Sequence, residues 1–273
     1  MEKRRWMVDS TLRDGEQRPG IVFSDADKVE IALRLDSLGV AEIEAAAAGA
    51  AAKDHLRFID RILSRRRRAK VSVWSRMCEA DLRQALASGA DIVHIGAPVS
   101  DRQIYTKLKK NRSWVRDTVC HAVEMIEKEA RMAVVGFEDA SRANLDFMVE
   151  LAHSIKECGS RVVRLSDTVG VLTPSKSAVL TTSIHEATGM EIEVHFHNDL
   201  GMAAANAVAA AGAGAVYIDT TVGGIGERAG NCSMTQLLTA VHKKYDFGME
   251  LGCANELETE FRSRWGGDSL EKF

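Results

Sequence analysis

Two stretches decide how the rest of the chain is read: Glu-Ile-Glu-Val-His-Phe-His-Asn-Asp-Leu-Gly at 191–201, and Gly-Gly-Ile-Gly-Glu-Arg-Ala-Gly-Asn at 223–231. Residues 191–196 alternate polar and apolar, the period of a strand. His195 and His197 are two apart, so a strand sends both imidazoles to one face. Two imidazoles at a strand end are either a hydrogen-bonded structural pair or the start of a divalent metal site. What the other segments bring beside them decides between the two.

Outward from these histidines the same unit recurs. Short apolar runs at Trp6–Asp9, Ala41–Ala45, Lys70–Trp74, Asp91–Ile95, Met132–Phe137, Val162–Leu165 and Ala215–Thr220 read as further strands. Between them lie helical segments. Ser24 and Asp27 open the first, and Gly39 stops it. Others are expected over about 54–66, 79–88, 114–129, 141–158 with Ser141 as cap, 174–187, 201–211 and 233–243. Strict strand–helix alternation implies a parallel sheet. Eight such units in about 240 residues predict an α/β fold, a single closed (β/α)8 TIM barrel. A doubly wound open sheet would place a glycine-rich phosphate turn after its first strand, and the polar loop at 10–17 is not one. The barrel is expected over residues 1–245. Residues 246–273 form a short tail whose Leu251, Leu257, Phe261 and Trp265 pack on the same chain or on a partner.

The bulk numbers narrow the function. The chain has 273 residues, is 45% hydrophobic and carries a formal net charge of −3, which points to neither nucleic acid nor an anionic membrane. The Arg65–Arg68 run falls at a helix end, where cations complement the dipole and are solvated. Five dispersed cysteines, with no signal-like leader and no membrane-length apolar run, predict reduced thiols in the cytoplasm.

In a TIM barrel the site lies at the C-terminal ends of the strands. There the sequence supplies Arg13, Asp14, Glu16 and Gln17 after strand one, Glu44 at strand two, Arg76 at three and His94 at four. Strand five ends at Glu138 and Asp139, six at Asp167 and Thr168, seven at His195 and His197, and eight at Glu227, Arg228 and Asn231. The first, seventh and eighth strands are neighbours in a closed barrel, so Asp14, His195, His197 and Asn231 converge. That N/O set suits Mg2+, Mn2+, Zn2+, Co2+ or Fe2+. A chelating 2-oxo acid fits the open positions, and Arg13 places a second cation near the developing alkoxide.

Asp-Ser-Thr-Leu-Arg-Asp-Gly-Glu-Gln (9–17), His-Phe-His-Asn-Asp-Leu-Gly (195–201) and Gly-Ile-Gly-Glu-Arg-Ala-Gly-Asn (224–231) resemble the DRE-TIM metallolyase superfamily. Within it the chain is most similar to the 2-isopropylmalate, homocitrate and citramalate synthases. Residues 93–101, 137–142 and 167–174 look most like nitrogenase-associated homocitrate synthases. The resemblance implies a Claisen condensation of acetyl-CoA with a metal-bound 2-oxo acid, 2-oxoglutarate preferred. It implies Asp14, His195, His197 and Asn231 as metal ligands, Arg13 as charge stabiliser and Glu138 in proton transfer. It implies Gln17, Glu44, Arg76, His94 and Thr168 on the substrate side. A cation must meet the distal carboxylate of 2-oxoglutarate, and Arg76 is the candidate. Two departures stand out: the alanine-rich turn after Glu44, and an end at Phe273 where the synthases continue into a helical region that helps bind acetyl-CoA. A homo-oligomer or a separate C-terminal subunit is therefore expected. A carbon–carbon lyase or aldolase of the same superfamily, and a non-catalytic metal-binding subunit, are the alternatives.

Overall fold

The computed structural model describes residues 3–49, 56–241 and 243–266. Eight parallel strands close into a barrel: β1 Trp6–Asp9, β2 Glu42–Ala47, β3 Lys70–Arg76, β4 Ile92–Pro98, β5 Met132–Glu138, β6 Val162–Asp167, β7 Glu191–Phe196 and β8 Tyr217–Thr220. They follow chain order around the barrel, and β1 closes against β8 in the register Trp6–Tyr217 to Asp9–Thr220. Most strand residues are buried, because helices cover one face and the barrel interior covers the other.

Eight helices follow the strands, α1 Asp25–Leu38, α2 Phe58–Leu63, α3 Glu79–Ala87, α4 Arg112–Lys128, α5 Leu145–Glu157, α6 Pro174–Thr188, α7 Ala203–Gly212 and α8 Met234–Ala240. Ser24 and Asp27 form a reciprocal capping box on α1, and Gly39 ends it at φ 102°. Several boundaries differ from expectation by a few residues, and two of them have a visible cause. Asn144, not Ser141, caps α5; Ser141 sits in the 3-10 turn Ala140–Arg142, which the Arg142–Asp139 ion pair folds back toward β5. α2 ends at Leu63 because the Asp36 carboxylate draws the backbone N–H groups of Arg67, Arg68 and Ala69 out of helical pairing. The expected start of α2 at Asp54 lies outside the described residues.

Beyond a short ribbon that pairs Lys3–Arg4 with Tyr245–Asp246, helix α9 (Leu251–Trp265) folds back onto α1 and α8. Leu257 and Phe261 are buried, Phe23 meets Phe261 edge-on at 5.9 Å, and Trp265 Nε1 donates to Asp27 at 2.8 Å. Among the described residues no helix is long and apolar enough to cross a membrane.

Candidate metal centre

Asp14 stands in the loop after β1, where the N–H groups of Arg13, Asp14 and Gly15 all turn back to Ser10 O. Thr11 Oγ1 accepts from the N–H of Val222 and so ties this loop to the one after β8. That second loop is wound tightly over the site. A Cβ on Gly226 would collide with the Asn231 amide and lie 2.7 Å from Asp14 Oδ1, so only glycine lets the backbone pass so close.

His195 is the last residue but one of β7 and His197 follows the strand, their rings edge-to-face with centroids 5.0 Å apart. Their Nε2 atoms stand 3.7 and 3.9 Å from Asp14 Oδ2, and the three residues' donor atoms all lie within 4.8 Å of one another. His195 Nδ1–H donates to Asp219 Oδ2 at 2.5 Å, which leaves Nε2 as the free lone pair. Burial and the neighbouring His195 push His197 down to about 4, so it is the neutral imidazole a cation needs at physiological pH. Burial alone raises the Asp14 carboxyl, but Arg13, the two histidines and the Asn231 amide outweigh it and hold the group at about 2. Asn231 Nδ2 donates to Asp14 Oδ1 at 2.6 Å and to Ile225 O at 3.0 Å, while its Oδ1 is buried with no partner. A buried amide oxygen without a donor, beside one carboxylate and two imidazoles, is the donor set of a divalent ion.

Beneath this cluster a ladder of alternating charge descends into the barrel. Arg13 Nη1 donates to Asp14 Oδ2 at 2.8 Å and its Nε to Glu44. Glu44 in turn accepts from Arg164 Nη1 at 2.7 Å, and Arg164 Nε donates to Glu193 at 2.6 Å. His94 Nε2 meets Glu42 at 2.6 Å. Glu42, His94 and Glu193 also lie within ligating distance of one another. Their contacts are already taken by the His94 ring and the Arg164 guanidinium, so we read them as an ion-pair network. On the adjoining wall formed by β5 and β6, Thr168 Oγ1 accepts from the N–H of Asp139 at 2.8 Å and donates to Glu138 at 3.2 Å. Burial pushes the Glu138 carboxyl above its ordinary range, against the pull of His195 and Arg13, so it holds a proton more readily than an exposed carboxylate, which suits a group that exchanges protons.

The HMGL-like family model matches residues 5–258. The chain belongs to the HMGL-like family. This HMGL-like barrel is 39% identical to the homocitrate synthase subunit alpha of Clostridium pasteurianum over 267 residues, covering 95% of the chain and 98% of that relative. It is 39% identical to 2-isopropylmalate synthase 2 of Caldanaerobacter subterraneus over 92% of the chain, and 38% identical to the (R)-citramalate synthase of Methanocaldococcus jannaschii over 90%. The chain spans only 65% and 50% of the lengths of those two. Among solved structures, the hydroxymethylglutaryl-CoA lyase of Pseudomonas aeruginosa superposes with a TM-score of 0.85 at 18% identity, over 99% of this chain and 97% of that one, a likeness of fold.

Of the residues expected at the site, the structure brings Arg13, Asp14, His195, His197 and Asn231 together, with Glu44 directly below and Glu138 and Thr168 on the adjoining wall. Three are placed differently. Gln17 is exposed at the end of a 3-10 turn. Arg76 has a side chain 63% exposed and is paired with Asp81 on α3. His94 points into the barrel toward Glu42 and Glu44 rather than standing at the mouth. Sequence reasoning missed Glu42, Arg164, Glu193 and Asp219. The available signal was a charge inside a strand otherwise buried on both faces, as in Val-Val-Arg-Leu-Ser-Asp at 162–167. Asp219 fixes the His195 tautomer, so Asp219→Asn should weaken Mn2+ binding by about 10–100-fold in a calorimetric titration. Unchanged affinity would show that the His195 contact is merely structural.

Proposed function

We propose that this barrel is the metal-bearing part of an acyltransferase of the homocitrate synthase type, condensing acetyl-CoA with a 2-oxo acid, 2-oxoglutarate preferred. The observation that carries the reading is the meeting of Asp14, His195 and His197 with the orphaned Asn231 oxygen. Asp14, His195, His197 and Asn231 would hold a divalent ion there, and that ion would supply Lewis-acid polarisation of the ketone of a 2-oxo acid. Arg13, fixed by Asp14 and Glu44, aims its guanidinium at the oxygen where charge develops. Glu138, oriented by Thr168, moves a proton at the reacting carbon. A lyase reading needs a reactive cysteine on the glycine loop. None lies within 223–231, and Cys232 is buried with its thiol pushed up by that burial.

The relative named as a subunit alpha, matched over almost its full length, supports a two-polypeptide enzyme in which a second chain completes the acetyl-CoA side. The five free cysteines support a cytoplasmic enzyme. The test follows release of CoA from acetyl-CoA and 2-oxoglutarate with Mn2+, with and without the candidate partner chain. Turnover that disappears on chelation is expected, and its absence under both conditions defeats the reading.

A further inference from the structure

A 2-oxo diacid brings a second carboxylate that the metal centre does not engage. We propose that Arg164 receives this remote carboxylate, in the space beside the paired glycines Gly96 and Gly136. The proposal rests on the reading of the chain as a 2-oxo acid condensing enzyme.

Arg164 lies on β6 inside the barrel and is 2% exposed. Its Nε and Nη1 are taken by Glu193 and Glu44, but its Nη2 is buried with no partner. A guanidinium offers five donors in one plane, and an unused donor in the dry interior is costly unless something arrives to accept from it. Two more unpartnered buried groups stand nearby. His94 Nδ1 is 3.8 Å from the Glu44 oxygen that Arg164 holds, and Ser72 Oγ belongs to the β3 residue in register with Glu44.

Access comes from the glycines. Gly96 on β4 pairs directly with Gly136 on β5, so two adjacent inward positions carry no side chain. The Trp74 indole fills the space over Gly96, where a Cβ would come within 2.5 Å of it. At Gly136 a Cβ would make only ordinary contacts, 3.6 Å from Ile95 O and 3.9 Å from both Arg164 Cδ and Glu138 Oε1, so the position has room for a small group. The gap is thus bordered by the proposed proton carrier above and the arginine below. It adjoins a cavity of about 600 Å³ lined by Trp74, Gly96 and Glu138, with Arg76 and Lys107 also on its wall. Arg76 is committed to Asp81. Arg164 keeps a donor free, and it connects to Asp14 through only Glu44 and Arg13.

The test is calorimetric binding of 2-oxoglutarate and of 2-oxobutyrate, a monoacid lacking the remote carboxylate, to the full chain with Mn2+. The wild type should favour the diacid by roughly 30-fold, the scale of a charge-assisted hydrogen bond. Arg164→Lys, which keeps a positive charge facing Glu44 and Glu193, should cut that preference several-fold while moving 2-oxobutyrate affinity by less than about 3-fold, and Arg164→Met should erase the preference. Gly136→Ala guards against a misfolded arginine variant, since its methyl group makes only ordinary contacts, the nearest being Ile95 O at 3.6 Å. It should weaken the diacid alone, by about 5–10-fold if it removes only part of the contact. Equal weakening of both acids, or a diacid affinity that neither substitution disturbs, overturns the assignment. A wild type that binds both acids equally also overturns it while leaving the broader reading intact. A wild type that binds neither acid defeats the condensing-enzyme reading and this inference with it.

Discussion

Asp14→Ala should leave the chain without a stoichiometric divalent ion and lower kcat/KM for condensation by at least about a thousandfold, the rate equivalent of losing several kcal/mol of charge stabilisation. Asp14 is the one carboxylate of the triad, and both imidazoles reach toward its Oδ2. Without it two neutral nitrogens and an amide oxygen face the cation, a set with no negative charge. The fold should survive, because Arg13 keeps its second anchor on Glu44 and Asn231 keeps Ile225 O. Metal analysis of the dialysed protein, paired with a CoA-release assay, reads both effects. A variant retaining one tightly held ion would refute the assignment of this ligand. The same carboxyl carries a pH signature in the metal-free protein. Its folded value of about 2 lies below the ordinary 3.8, so its contribution to stability is present at neutral pH and is lost as pH falls from about 4 through about 2.

The second large effect concerns stability. Glu44→Ala should destabilise the barrel by about 3–5 kcal/mol, because it strands two buried guanidinium groups at once. Glu44 is fully buried and accepts from Arg13 on one oxygen and Arg164 on the other. For a chain of this size the change amounts to a drop in Tm of roughly 10 °C. Glu44→Gln keeps the shape without the charge and should fall between. Thermal melts of the three proteins at pH 7 decide the point, and a Tm for the alanine variant within about 2 °C of wild type would mean that the ladder contributes little. Burial raises the Glu44 carboxyl, yet Arg13 and Arg164 overcome it and hold the group well below the ordinary range. Its contribution is therefore complete above the ordinary carboxylate pKa of 4.5 and fades only as the pH falls below that.

Much of this was legible from residue order. The strand–helix alternation predicted the closed barrel, because a parallel strand needs a crossover and seven crossovers of this length joining eight strands complete a cylinder. The Ser24–Asp27 box and Gly39 marked α1 correctly, since capping depends only on residues within a few positions. Ser141 misled because its competitor Asn144 is as good a cap, and the choice was made by Asp139 gripping Arg142. The convergence of Asp14, His195, His197 and Asn231 was predictable because closure sets strands one, seven and eight side by side.

The sequence by itself determined the barrel and the strand ends that meet around the triad, since both follow from local periodicity and the order of the strands. Only the tertiary structure decided what fills the interior beneath. A barrel strand is buried on both faces, so its pattern does not reveal which charges turn inward or what they meet. Arg164 and Glu44 stand 120 residues apart in the chain, and Glu42 and His94 stand 52 apart. Each such charge is tolerable in the dry interior only with its partner in place, and that partner exists only once the cylinder has closed.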